Sequence, residues 1–259
     1  MKIASWNVNS IRARLANVLD WLGEARPDVA LLQETKVVDE AFPAEAIGDL
    51  GYNVVTHGQK SYNGVAILAR RPIEDIRRGL PGDDDDAEAR YLEAVVGDVR
   101  VASIYLPNGN PVDSPRFAYK LAWMDRLYGH ARALLRLEEA FVLGGDYNVA
   151  LADIDVYDPA GWADDALCRL ESRAGLRKSL HLGLTEAYRA LHPDAVAYTF
   201  WDYQKGRWRR DEGLRIDHLL LSPQAADRLL ECDIDRAPRD RPKASDHTPV
   251  WCALQEPPS

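Results

Sequence analysis

The sequence is short of cysteine, of long apolar runs and of net positive charge. Its three cysteines, Cys168, Cys232 and Cys252, are odd in number and show no CxxC or Cys/His spacing. That argues against a disulfide framework or a zinc site and fits reduced thiols in a cytosol. No stretch of about 18 uncharged apolar residues occurs, and Met1 to Trp6 enters a strand-like segment with no signal-peptide core before it. Membrane spanning and secretion are therefore not expected, and a cytoplasmic location is. Lys and Arg number 32 against 41 Asp and Glu, a net charge of −9. Acidity of this size argues against sequence-independent binding to nucleic acid unless the basic residues gather on one face. No internal repeat and no Pro- or Ser-rich linker divides the chain.

What is present is the composition of an ordinary folded protein. The 259 residues are 46% apolar and 28% charged, enough for a sizeable core, and one domain over residues 1–259 is expected. Short apolar runs bounded by turn residues read as strands: Ile3–Trp6, Val29–Leu32, Val65–Leu68, Tyr91–Val96, Val101–Tyr105, Phe141–Leu143, Ile216–Leu221 and Val250–Leu254. Ile11, Leu15, Val18, Leu19 and Leu22 recur at helical spacing, capped by Asn9 or Ser10 and stopped before Pro27; a second helix runs from about Pro115 to Leu137. Some strands follow helices and others come in pairs, such as Tyr91–Val96 and Val101–Tyr105 across Gly97-Asp98. The sheets should thus be mixed, in an α/β or α+β fold that is not a Rossmann fold. The run Asp83 to Asp86 reads as a solvated loop.

Polar residues at strand ends are the candidates for chemistry, because a sheet holds them rigidly while loops leave room for substrate. Asn7 and Asn9 follow the first strand; Glu34 and Lys36 follow the second; Tyr105 precedes a Pro-Asn-Gly turn. Phe141 to Leu143 ends in two glycines that allow close approach, then Asp146 and Asn148 on alternate positions. Asp217 and His247 sit in or beside otherwise apolar strands, where a carboxylate is costly unless paired or liganded. Ser245, Asp246 and His247 are consecutive, so they cannot form the relay of a serine hydrolase; His247 should instead pair with a carboxylate of another strand, such as Asp217. Oxygen donors dominate this set, and hard oxygens suit magnesium or manganese rather than zinc. Metal-assisted hydrolysis of a phosphoester follows from these residue types.

In chain order the motifs WNVN, LQETK, GYNVVTHGQKSYNGVAIL, YLPNG, GGDYN, YTFWDY, GLRIDHLLLS and SDHTPVW resemble those of the exonuclease III family of apurinic/apyrimidinic endonucleases, over nearly the whole chain. The resemblance implies a four-layer α/β sandwich, two mixed sheets face to face with helices outside. It implies an enzyme dependent on Mg²⁺ or Mn²⁺ that cuts duplex DNA 5′ to an abasic site, and that also trims 3′ ends as an exonuclease, phosphatase or phosphodiesterase. Carried over by motif, Glu34 is the principal metal ligand, with Asn7 nearby and Asp246 close to the metal site. Asp146 orients or deprotonates the attacking water beside Asn148, Tyr105 contacts the scissile phosphate, and His247, held by Asp217, meets the same phosphate. Phe200 and Trp201 are assigned to the pocket for the base-less sugar, since aromatic side chains line such pockets. Lys205 to Arg210, with Arg207, Arg209 and Arg210 around Trp208, forms a basic loop suited to phosphates within an acidic chain. Asn9 departs from relatives that carry a metal-supporting Asp there, and Asp153 to Lys178 departs from the enteric pattern near the expected DNA face. A monomer is expected. Two competing readings are a phosphodiesterase acting on small or lipid phosphoesters and a catalytically silent nucleic-acid-binding regulator of the same fold. The basic aromatic loop speaks against the first and the complete polar set against the second.

Overall fold

Mainly apolar segments, buried at nearly every position, become the inner strands of two sheets. The computed structural model describes residues 1–256. Its strands are Lys2–Asn7 (β1), Val29–Gln33 (β2), Asn53–His57 (β3), Val65–Ala69 (β4), Ile73–Arg78 (β5) and Tyr91–Val96 (β6). There follow Val99–Tyr105 (β7), Phe141–Asp146 (β8), Thr185–Glu186 (β9), Asp217–Leu221 (β10), Leu229–Ile234 (β11) and Val250–Leu254 (β12). One six-stranded sheet has the order β11-β12-β1-β2-β4-β3 and the other β5-β6-β7-β8-β10-β9. Neighbours are antiparallel except β1 with β2 and β7 with β8, one parallel pair at the heart of each sheet. Parallel neighbours need a crossover. Ile11–Ala25 (α1) supplies the first, and Ala44–Gly48 (α2) is a short turn; Pro115–Leu135 (α3) supplies the second crossover, and Leu170–Leu180 (α4) lies beside α3.

Alternation of side chains along each strand builds the layers. Ile3, Leu31 and Ile67 meet Val101, Val142 and Leu219 between the sheets. Ala4, Trp6 and Leu32 point the other way, onto Val18, Trp21 and Leu22 of α1. Ile104, Phe141 and Leu143 cover the far face, against Trp123 and Leu127 of α3 and Leu176 of α4. The result is the expected four-layer sandwich. Gly144 lets the sheets close, since a Cβ there would lie 2.7 Å from Leu31 Cδ1 and 2.8 Å from Leu219 Cδ2. Ser10 caps α1, its Oγ accepting from the Ala13 amide, and Ser114 caps α3 ahead of Pro115.

The expected strands and both expected helices are present, with the strand read from Ile216 starting one residue later at Asp217. Of the acidic run, Asp83 to Asp85 are exposed. Asp86 instead turns inward, accepting from Arg126 Nη1 at 2.6 Å and from the Tyr119 hydroxyl at 3.0 Å. Among the described residues no helix is long and apolar enough to cross a membrane.

Candidate active site

Both parallel pairs end at one edge of the sandwich. β1 stops at Asn7 and β2 at Gln33, which are register partners, so Glu34 begins the loop beside Asn7. β7 and β8 likewise end together at Tyr105 and Asp146. Antiparallel β10 sets Asp217 opposite Asp146, and a bridge between Phe200 and His247 brings in the segment ahead of β12. Glu34 and Asn148 adopt left-handed backbone, at φ 52° and 48°, a conformation uncommon outside glycine that turns the chain sharply after each strand.

One amide bridges the sheets at this edge. Asn7 Nδ2 donates to Glu34 Oε1 at 2.8 Å and to Asp146 Oδ2 at 2.9 Å. Lys36 Nζ lies 2.7 Å from the other Glu34 oxygen. His247 Nδ1 is 2.8 Å from Asp217 Oδ2, the pairing expected from sequence, and its Nε2 is 3.7 Å from Asp146 Oδ2. Burial works against a charged His247, but Asp217 and Asp146 outweigh it and raise the pKa to about 10, so the ring is an imidazolium at neutral pH. Burial pushes the Asp146 carboxyl up, with Asp217 and Glu34 adding to the rise and His247 opposing it. For Glu34 burial is overcome by Lys36 and the Asn7 hydrogen bond, which hold it below the usual carboxylate value. Tyr105 keeps its proton, raised by burial and by the Glu34 and Asp146 charges. Proton donors and carboxylate oxygens thus face one another at this edge of the sandwich.

The remaining expected residues fall at different distances from this centre. The Asn148 side chain braces loops: its Nδ2 donates to Leu106 O at 2.9 Å and its Oδ1 accepts from Asn108 Nδ2 at 3.0 Å. Asp246 Oδ1 accepts from Asn9 Nδ2 at 2.9 Å, while Asn9 Oδ1 takes the Lys36 ammonium at 2.5 Å. Ser245 Oγ donates to Asn7 O at 2.7 Å and is fully buried, which disposes of the serine-hydrolase arrangement. Phe200 stands against the His247 ring at 4.9 Å between centroids. Trp201 is a correction. It is 0% exposed, packs on Tyr198 and Trp208, and donates Nε1 to Asp211, so it offers no surface to a sugar. The basic loop is also more neutral than its sequence suggests, because Glu212 pairs with both Arg207 and Arg210. Arg209 makes no ion pair among the described residues.

Two features were not foreseen. A cavity of about 820 Å³ opens beside Glu34 and Tyr105, lined also by Lys36, Tyr62, Arg90 and Arg116. Lys120, fully buried, donates to the carbonyls of Asn108, Asn148 and Ala166 at 3.0, 2.7 and 3.0 Å, tying the loops after β7 and β8 together. Its spacing on α3 marks an inward face, but only the folded chain shows what that face meets.

The oxygen donors suit a hard divalent cation. Asp146, Asp217 and His247 each bring one ligand-capable atom within 4.8 Å of the others. Asp217 gives one oxygen to His247 and keeps a buried Oδ1 without a partner, and Glu34 and Asp146 are drawn together by Asn7, so carboxylate oxygens able to accept a metal converge here. Asn7 meets them with its nitrogen, and its Oδ1 accepts from the Asn9 amide at 3.0 Å.

Known proteins are similar to this chain in sequence and fold. The model of the Endonuclease/Exonuclease/phosphatase family matches residues 4–247. Exodeoxyribonuclease III of Haemophilus influenzae is 34% identical over 98% of this chain and 100% of its own. DNA repair nuclease APEX1 of Danio rerio is 33% identical over 98% of this chain and 82% of its own. Among solved structures, an AP endonuclease from Archaeoglobus fulgidus superposes with a TM-score of 0.95 at 38% identity, covering 99% of this chain and 100% of that one. The 3′ phosphatase NExo from Neisseria, bound to a product DNA hairpin, gives 0.96 at 40% identity over 99% and 100% of the two chains. The chain belongs to the endonuclease/exonuclease/phosphatase family, in company with exodeoxyribonuclease III.

Proposed function

We propose that the protein is a DNA-repair nuclease that hydrolyses the phosphodiester 5′ to an abasic site in duplex DNA and also removes nucleotides or phosphate from 3′ ends. The observation that carries this reading is the His247 ring held between Asp217 and Asp146, beside the Asn7-bridged pair of Asp146 and Glu34. A phosphodiester transition state spreads negative charge over its oxygens, and preorganised donors stabilise that charge. His247 Nε2–H would donate to a non-bridging phosphate oxygen, with Asp217 fixing the ring, and the Tyr105 hydroxyl would donate to the same phosphate. Asp146, its pKa raised by burial, would orient the attacking water and take its proton as the phosphorus–oxygen bond to the leaving 3′-oxygen breaks. Asn148 and Lys120 would keep the loops around this centre in place. Glu34, with Asp146 and Asp246 near it, would hold a Mg²⁺ or Mn²⁺ ion, which supplies positive charge against the phosphate and leaving oxygens. Phe200, against His247, would line the sugar pocket, and Arg209 would reach a backbone phosphate. We further read the enzyme as a single-domain monomer of the cytoplasm.

Three duplexes that differ only in the lesion test this: an internal abasic analogue, a 3′-phosphate at a nick, and an undamaged recessed 3′ end. The reading expects metal-dependent processing of each, with the abasic duplex cut on the 5′ side. Processing of a small phosphoester alone, with all three duplexes untouched, would contradict it.

A further inference from the structure

Arg14 joins three cations of one later loop beside the active site. Arg14 on α1 and Arg239, Arg241 and Lys243 in the loop ahead of β12 line a cavity of about 400 Å³, together with Tyr203. Tyr203 is the shared wall: its hydroxyl accepts from Arg14 Nη2 at 2.8 Å, donates to Ala244 O at 2.9 Å and lies 3.4 Å from Asn9 Nδ2. The same Asn9 bonds Asp246 and Lys36 on the catalytic side.

The protein answers these cations mostly with neutral groups: Arg14 and Arg239 lie over the Tyr203 ring, and Arg241 Nη1 donates to Asn17 O at 3.4 Å. Glu24 takes one arm of Arg241 at 2.5 Å, and Lys243, exposed, makes no ion pair among the described residues. Arg239 is 8% exposed, donates Nη2 to Trp201 O, and keeps a buried Nε with no acceptor; the Arg14 Nε is likewise buried and unpaired. Burial lowers the Arg239 pKa even with Tyr203, Asp246 and Asp240 nearby. Both Nε atoms lie beneath the surface, so what the cavity offers an anion is the summed positive charge of its four cationic lining side chains.

We propose that this cavity is a phosphate subsite separate from the scissile one, which takes a backbone phosphate of the DNA on the α1 side of the catalytic centre. The proposal rests on the DNA reading above and adds where the duplex is gripped. Continuity with the catalytic centre through Tyr203 and Asn9 favours a nucleic-acid backbone over a free anion, since one strand would reach both places. It also explains how a chain of net charge −9 holds a polyanion when its basic loop is half neutralised by Glu212.

The test is the salt dependence of binding to an abasic-analogue duplex, measured by fluorescence anisotropy in chelator, for wild type, Lys243→Gln and the Arg14→Gln/Lys243→Gln double variant. Each phosphate contact contributes about −0.9 to the slope of log affinity against log salt. The slope should therefore become shallower by about 1 for Lys243→Gln and about 2 for the double variant, with turnover at saturating DNA unchanged. Lys243 makes no side-chain bond among the described residues, so its variant folds and decides the matter even where the double variant does not. Wild-type slopes in Lys243→Gln would overturn the subsite alone. Failure of the wild type to bind the duplex would overturn the DNA reading, and this inference with it.

Discussion

His247 shows how much of the site is electrostatics. Its raised pKa means that the folded protein binds the imidazole proton more tightly than the unfolded chain does. The stabilisation is therefore complete below the ordinary value of 6.5 and is lost as pH rises through about 10. In chelator, the difference in unfolding free energy between wild type and His247→Gln should be larger at about pH 6 than at about pH 10; equal differences would mean that the ring is not held as an imidazolium. The same substitution should lower turnover on abasic duplex by ~10²-fold or more, as expected for a lost proton donor. The pairing of His247 with Asp217 was legible because a carboxylate and an imidazole in apolar strands need partners. The burial of Trp201 was not legible. Phe200 and Trp201 are adjacent and extended, so they point opposite ways, and only the folded chain shows that His247 lies on the side of Phe200 while Gly213 leaves room for Trp201.

At the level of elements, the site exists because two strand-helix-strand crossovers end at one edge. Asn7 with Glu34 comes from the first, and Tyr105 with Asp146 from the second. Lys120 secures the second by filling three backbone carbonyls from inside α3. Lys120→Met keeps the apolar stem but leaves those carbonyls without their donor, at ~1–3 kcal/mol for each buried group left unpaired. We expect a loss of about 3 kcal/mol or more in denaturant unfolding, with a fall in kcat because the Asn108 and Asn148 loops are no longer tied. An unchanged midpoint would show that water or another donor serves as well. The central strands were readable since burial on both faces writes a continuous apolar run. β3, β5 and β11 lie at or beside sheet edges, and β5, with the sequence Ile-Glu-Asp-Ile-Arg-Arg, exposes nearly every residue. Such strands are specified by their neighbours rather than by their own pattern.

For the whole molecule, net charge and function pull in opposite directions, and the fold reconciles them by sorting charge in space. Arg14 and Lys243 are far apart in sequence and lie on one cavity, whereas Arg207 and Arg210, close together in a basic run, are largely spent on Glu212. Composition therefore reported the sum correctly and the face not at all, because tertiary contacts decide which charges remain free for a ligand. The central claim is that Asp146, set at the meeting point of the two crossovers, activates water for a metal-dependent cut beside a missing base. Cleavage of an end-labelled duplex bearing one stable abasic analogue, read at single-nucleotide resolution for wild type and Asp146→Asn with Mg²⁺ and with chelator, tests it most directly. The account predicts a single cut 5′ to the lesion by wild type with Mg²⁺, none in chelator, and a rate lower by ~10²–10⁴-fold for Asp146→Asn with its fold intact. Cutting that persists in chelator, or an Asp146→Asn rate within about tenfold of wild type, would contradict it.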